Sequence, residues 1–128
     1  MNKDRIFNNV IQSSAGLSMG AIWQHLGVEV AALSVPYEVR VSCFFEILEK
    51  LLRDGLIKLA RNDSFLVGDI NSQINEIRRA WPQSPGEDDL DGFGYWFFTA
   101  PAGVVWIFEN GVETVSYTHL TLPTKRIV

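Results

Sequence analysis

Val41, Phe44, Phe45, Leu48, Leu51 and Leu52 recur at the i, i+3, i+4, i+7 spacing of one helix face. Arg40, Glu46, Glu49, Lys50 and Arg53 are mostly left for the opposite, solvent side. Ser34, Pro36 just inside the segment and Glu38 in the first turns predict where this helix starts, and Gly55 predicts where it stops. Packing of an apolar face stabilises a helix in water far more than its propensity does. The remaining elements must therefore help bury this stripe.

Those elements are legible in turn. Ile6, Phe7, Val10 and Ile11 predict a short amphipathic helix, broken at Ser13-Ser14-Ala15-Gly16. Ser18 predicts the N-cap of a second helix with Ala21, Ile22, Trp23 and Leu26 on its apolar side, ended by Gly27. After the long helix, Leu56 to Ala60 and Ser64 to Val67 flank Arg61-Asn62-Asp63 and read as a β-hairpin closed by Gly68. Asp69 predicts the N-cap of a helix with Ile70, Ile74 and Ile77 on one face, stopped by Trp81-Pro82. Residues 84–92 read as a loop. Tyr95 to Thr99 and Val104 to Phe108 are rich in aromatic and β-branched residues and predict a second hairpin around Ala100 to Gly103. Asn110-Gly111 then signals a two-residue turn returning along the strand just left, begun by Val112-Glu113-Thr114. The expected fold is α+β, with two β-hairpins and a winged-helix-like N-terminal arrangement of helix, helix, long helix and hairpin.

The stretch from Val115 to Thr124 resembles translated sequencing adapter, and Lys125-Arg126-Ile127-Val128 fits the ending such a read-through would have. The expectation is one globular domain over residues 1–114, truncated at its C-terminus, and an adapter-derived tail over 115–128 with enough accidental β-propensity to pair. Without Lys125 and Arg126 the eleven basic residues become nine against fifteen acidic ones, and the net charge moves from −4 to −6. A single cysteine forms no internal disulfide, no apolar run approaches the ~20 residues of a membrane span, and the N-terminus lacks a signal-peptide core. The expected setting is the reducing cytoplasm.

The chemistry-bearing residues are sparse. Cys43 lies among the apolar residues of the long helix, with no cation to activate it, and reads as core. His25 is the sole histidine outside the tail, so no histidine-based metal cluster or independently supported Cys-His pair can be assembled. Glu87, Asp89, Asp91 and Gly92 begin like a calcium-binding loop, but the twelfth position falls on Phe98 where a bidentate glutamate is required. The expectation is no enzyme, cofactor or metal. The acidic loop is read as solvated, or as a patch for a basic partner, with Glu87, Asp88, Asp89, Asp91 and Tyr95 the candidate contacts. Between Glu38 and Asp54 three basic residues face four acidic ones, which argues against duplex binding by the long helix. A basic face near Arg40, Lys50, Lys58 and Arg61 is what the DNA-binding reading requires.

Ala21-Ile22-Trp23, Gly55 to Ala60, Phe65 to Gly68, Gln73-Ile74, Arg79 to Pro82, Trp96 to Phe98 and Pro101 to Ile107 together resemble an uncharacterised bacterial family, domain of unknown function 596, from Ser18 to Glu109. The family carries no established activity, so it transfers no site residues. Its association with genes for contact-dependent toxins implies an immunity role. The expected function is a cytoplasmic protein-binding module, an immunity protein neutralising a co-encoded and basic toxin domain. The alternative is a transcriptional regulator or adaptor on a winged-helix-like scaffold. Partner identity and oligomeric state stay open.

Overall fold

The computed structural model describes residues 1–83, 95–107, 113–116 and 126–127. Four helices, α1 (Lys3–Ser14), α2 (Met19–Val30), α3 (Tyr37–Arg53) and α4 (Ile70–Ala80), accompany strands β1 (Ile57–Arg61), β2 (Ser64–Phe65), β3 (Gly103–Ile107), β4 (Glu113–Ser116) and β5 (Arg126–Ile127). The fold is α+β, as expected.

Helix α3 is the centre of the packing. Cys43, Phe44, Phe45, Ile47, Leu48 and Leu51 are buried, with Val41 and Leu52 packed against them, and α2, α4 and β1 all touch the helix. Its end is a Schellman motif: the Leu56 amide donates to the Leu51 carbonyl at 2.9 Å and the Gly55 amide to Leu52 at 3.2 Å. Gly55 sits at φ 73°, and a Cβ there would meet nothing within 4 Å, so backbone conformation alone selects glycine. At the other end Pro36 occupies the N-cap position without a side-chain hydrogen bond. Ser34, expected as the cap, instead closes the 3-10 turn Ala31–Leu33 at φ 52°.

Helix α1 is capped by Asn2 and runs two residues into its predicted Ser13-Ser14-Ala15-Gly16 break, where the buried Ser14 hydroxyl is satisfied by donating to the Val10 carbonyl at 2.6 Å. Helix α2 is capped by Ser18, whose Oγ accepts from the Ala21 amide at 3.3 Å. Gly27 does not end it. The helix continues to Val30, and the place of Gly27 is explained by a neighbour: a Cβ there would stand 2.5 Å from Nη2 of Arg40 on α3. Helix α4 is capped by Asp69, which accepts from the Ser72 amide at 2.8 Å, and ends where extended Trp81 precedes Pro82.

The sheet is antiparallel in the order β2-β1-β3-β4-β5. Arg61 opposite Ser64 leaves a two-residue turn with Asn62 and Asp63 both at positive φ, the pattern of a type I′ hairpin. Strand β2 is shorter than the predicted Ser64 to Val67. Ile57 and Leu59 pair with Trp106 and Val104, and these four fully buried side chains share the face turned to the helices.

The second hairpin is β3–β4. Tyr95–Phe98, predicted as a strand, is a 3-10 turn. Its consecutive Trp96 and Phe97 are both buried against Trp81 and Phe44, which a strand, pointing neighbours to opposite faces, achieves only when covered on both sides. Register corrects a further detail. A two-residue turn at Asn110-Gly111 would set Ile107 opposite Thr114, yet Ile107 pairs with Glu113. The strand is thus shifted by one residue, which exchanges its two faces. The Asn110-Gly111 positions themselves lie outside the described residues. Val115 and Ser116 pair with Val105 and Val104, so the adapter-like segment begins with residues that join the sheet, as its propensity predicts.

Candidate functional site

Several cavities lie along α3. Glu38, Ser42, Glu46 and Arg53 are exposed along it, four or more residues apart. Near the start of α3 a cavity of about 300 Å³ lies between this helix and the end of α4. Tyr37, Val41, Phe45, Trp81 and Pro82 make its apolar walls, with Glu38, Ser42, Arg78 and Gln83 around them. Further along, a larger, more polar cavity of about 560 Å³ lies between α1 and α3, lined by Asp4, Phe7 and Asn8 on one side and Glu46, Glu49, Lys50 and Arg53 on the other. A third, of about 530 Å³, shares Glu49 and Arg53 and reaches Gly68 to Asn71.

Charges along α3 are largely matched. Lys3 pairs with Glu46 at 3.3 Å and Lys50 with Asp54 at 3.2 Å, while Arg53 pairs with Glu49. All are half-exposed and contribute little to stability, but they decide which charges are already satisfied. Among the described residues Asp4, Glu38 and Arg78 have no ion-pair partner. The cations of a hypothetical DNA-reading surface are also committed. Arg40 turns inward, donating to the Trp23 carbonyl at 2.9 Å and lying 3.7 Å over the Trp23 ring. Lys58 lies 4.6 Å over Phe65, and Arg61 pairs with Glu76 at 3.0 Å.

Glu87, Asp88, Asp89 and Asp91 lie outside the described residues, and Tyr95 is described only as the start of the 3-10 turn. The stems of their loop are fixed: the Trp81 and Trp96 rings are 4.9 Å apart, and the Trp96 indole donates to the Ala80 carbonyl at 3.1 Å. Trp81 and Pro82 at the first stem are also walls of the smaller cavity. That cavity escaped the sequence reading because it is assembled from two helix ends far apart in the chain. The one local signal was Glu38 and Ser42, polar residues at i, i+4 opposite the apolar stripe.

Cys43 is buried, and burial, reinforced by Glu46, raises its thiol pKa above the usual range, so the residue is a core thiol. His25 is half-buried on α2. Among the described residues no group of three His, Cys, Asp or Glu side chains could hold a metal ion, and no helix is long and apolar enough to cross a membrane.

The family described as Protein of unknown function, DUF596, matches residues 52–116, just over half of the chain. The chain belongs to this family. The DUF596 match runs from the end of α3 to β4 and leaves Ser18 to Leu51, part of the expected resemblance, outside it. A solved structure described as an uncharacterized protein conserved in bacteria, from Neisseria meningitidis, is similar to this DUF596 chain at a TM-score of 0.71 and 24% identity, over 87% of each chain. At that identity the likeness concerns the fold. Comparison with curated proteins finds no match.

Proposed function

We propose that this DUF596 protein is a protein-binding module acting in the cytoplasm, and that its partner is a basic toxin domain encoded beside it. The observation that carries the reading is the disposition of charge. Arg40, Lys50, Lys58 and Arg61, the cations that the nucleic-acid reading requires, are ion-paired, turned inward or laid on a ring. Exposed carboxylates at Asp4 and Glu38 carry no ion pair among the described residues, on a chain of net charge −4. An acidic surface speeds association with a basic partner and fixes its orientation. The regulator alternative lacks this support, since α3 lies among α2, α4 and β1 and its outer face is mixed to acidic. Glu87, Asp88, Asp89, Asp91 and Tyr95 remain the proposed loop contacts. The reading assigns no chemical step to the chain.

The test is co-expression with the C-terminal domain of the protein encoded immediately upstream. Restored growth and co-purification are the expected results. Unrelieved toxicity with no complex would remove the reading, and a mobility shift of duplex DNA at low salt would replace it with the regulator.

A further inference from the structure

We infer that the cavity between the start of α3 and the end of α4 is an anchor pocket for one apolar side chain of a protein partner. That side chain would lie between a basic residue meeting Glu38 and an acidic residue meeting Arg78. The inference deepens the protein-binding reading above and rests on it.

Opposite charges at the rim carry the argument. Glu38 and Arg78 line one cavity and are both exposed, yet they do not pair with each other or with any other described residue. Arg78 is held 4.5 Å over the Phe45 ring, a cation–π contact that leaves its N–H donors to the side. The two charges thus line one cavity with apolar walls without pairing across it, and a ligand with complementary charges on either side of an apolar group can meet both. A nucleic-acid phosphate would meet Glu38 as a like charge. A simple cation would find one carboxylate and, at the same cavity, a repelling guanidinium. A peptide segment with an apolar residue between a basic and an acidic one meets every part of the site.

The walls are already in place. The Tyr37 hydroxyl accepts from the Trp81 indole at 2.9 Å and donates to the Pro82 carbonyl at 3.3 Å, so ring, indole and proline are tied together. A preformed wall saves the side-chain ordering that weakens most docking surfaces. A volume of about 300 Å³ is at the small end for ligand sites and suits one large side chain. The larger cavity on the α1 side is a weaker candidate, because most of its charges pair within the molecule.

The Trp81 indole N–H supplies a local probe, and the Trp106 indole, bonded to the Leu17 carbonyl at 2.7 Å, supplies an internal reference. The ¹⁵N-labelled full chain would be titrated with the capped peptides Lys-Gly-Phe-Gly-Glu and Glu-Gly-Phe-Gly-Lys, and with versions in which Phe is replaced by Ala. At least one Phe peptide should shift the Trp81 resonance and leave Trp106 in place, while the Ala versions do nothing. Glu38→Lys and Arg78→Glu should each weaken binding by about two- to fivefold, the range of an exposed ion pair. A silent Trp81, equal shifts with the Ala peptides, or indifference to both substitutions would overturn the pocket. If the upstream toxin domain still co-purifies while Trp81 stays silent, the pocket fails and the partner reading stands. A Trp81 response without co-purification keeps the pocket and transfers it to a different protein partner.

Discussion

At the scale of single residues, Gly27 is the most informative position. Alanine in place of glycine in a helix interior ordinarily gains about 1 kcal/mol. Here the added methyl would meet Nη2 of Arg40, which is tied to the Trp23 carbonyl and stacked on the Trp23 ring. A charge-assisted hydrogen bond is worth roughly 1.5–3 kcal/mol, and a cation–π contact adds roughly 0.5–2 kcal/mol. Gly27→Ala is therefore expected to destabilise by about 1–2 kcal/mol in urea unfolding. In an Arg40→Met background the same change should stabilise, by up to about 1 kcal/mol. No change of sign between backgrounds would refute this account of Gly27. The sequence showed the glycine but not its reason, since a helix stop and a close approach use the same residue, and the deciding Arg40 lies on another helix. Cys43 was legible, because its apolar setting is local. Its raised pKa makes a second prediction. The thiol stays protonated in the folded chain after the unfolded chain has begun to lose its proton, so this contribution falls as pH rises through the usual thiol range. Cys43→Val should lack that component, and the stability difference between the two proteins at alkaline pH measures it.

At the scale of elements, periodicity and caps were the readable signals. The stripe of α3, the Ser18 and Asp69 caps, the Gly55 stop and the Asn62-Asp63 turn are set by residues within a few positions of one another. Tyr95–Phe98 was misread because β-propensity describes fit to a pleated surface, while Trp96 and Phe97 find their partners in Trp81 and Phe44. The β4 register was misread by one residue for a related reason: pairing with β3, and not the turn signal alone, sets which residues oppose. The adapter-like tail belongs at this scale. We propose that residues 117–128 are dispensable to the domain. Among the described strands β5 pairs with β4, through Glu113 with Ile127 and Thr114 with Arg126. Deleting 117–128 should change the unfolding free energy by no more than about 1 kcal/mol, consistent with a terminal edge pairing. A loss of cooperative unfolding on deletion would show that the tail belongs to the fold.

At the scale of the whole molecule, the fold class was readable because one long amphipathic helix obliges the rest to cover it. The candidate pocket was not, because Tyr37 and Trp81 approach only when α3 and α4 pack. The acidic loop links the two outcomes. Its stems are pinned in the core by the Trp81–Trp96 contact and by the Trp96 bond to Ala80. Replacing residues 84–94 with a Gly-Ser segment of equal length should leave cooperative unfolding and the Trp81 resonance essentially intact. On the proposed function it should also remove four carboxylates, Glu87, Asp88, Asp89 and Asp91, from the approach to a basic partner. Long-range attraction acts mainly on association, so the on-rate should fall and its dependence on salt should weaken, while dissociation changes less. Stopped-flow association between about 10 and 300 mM salt resolves the two contributions, a range over which the screening length falls severalfold. An unchanged on-rate and salt slope would place the recognition charge on the exposed side of α3 instead. A faster off-rate at unchanged on-rate would make the loop a contact surface within the complex.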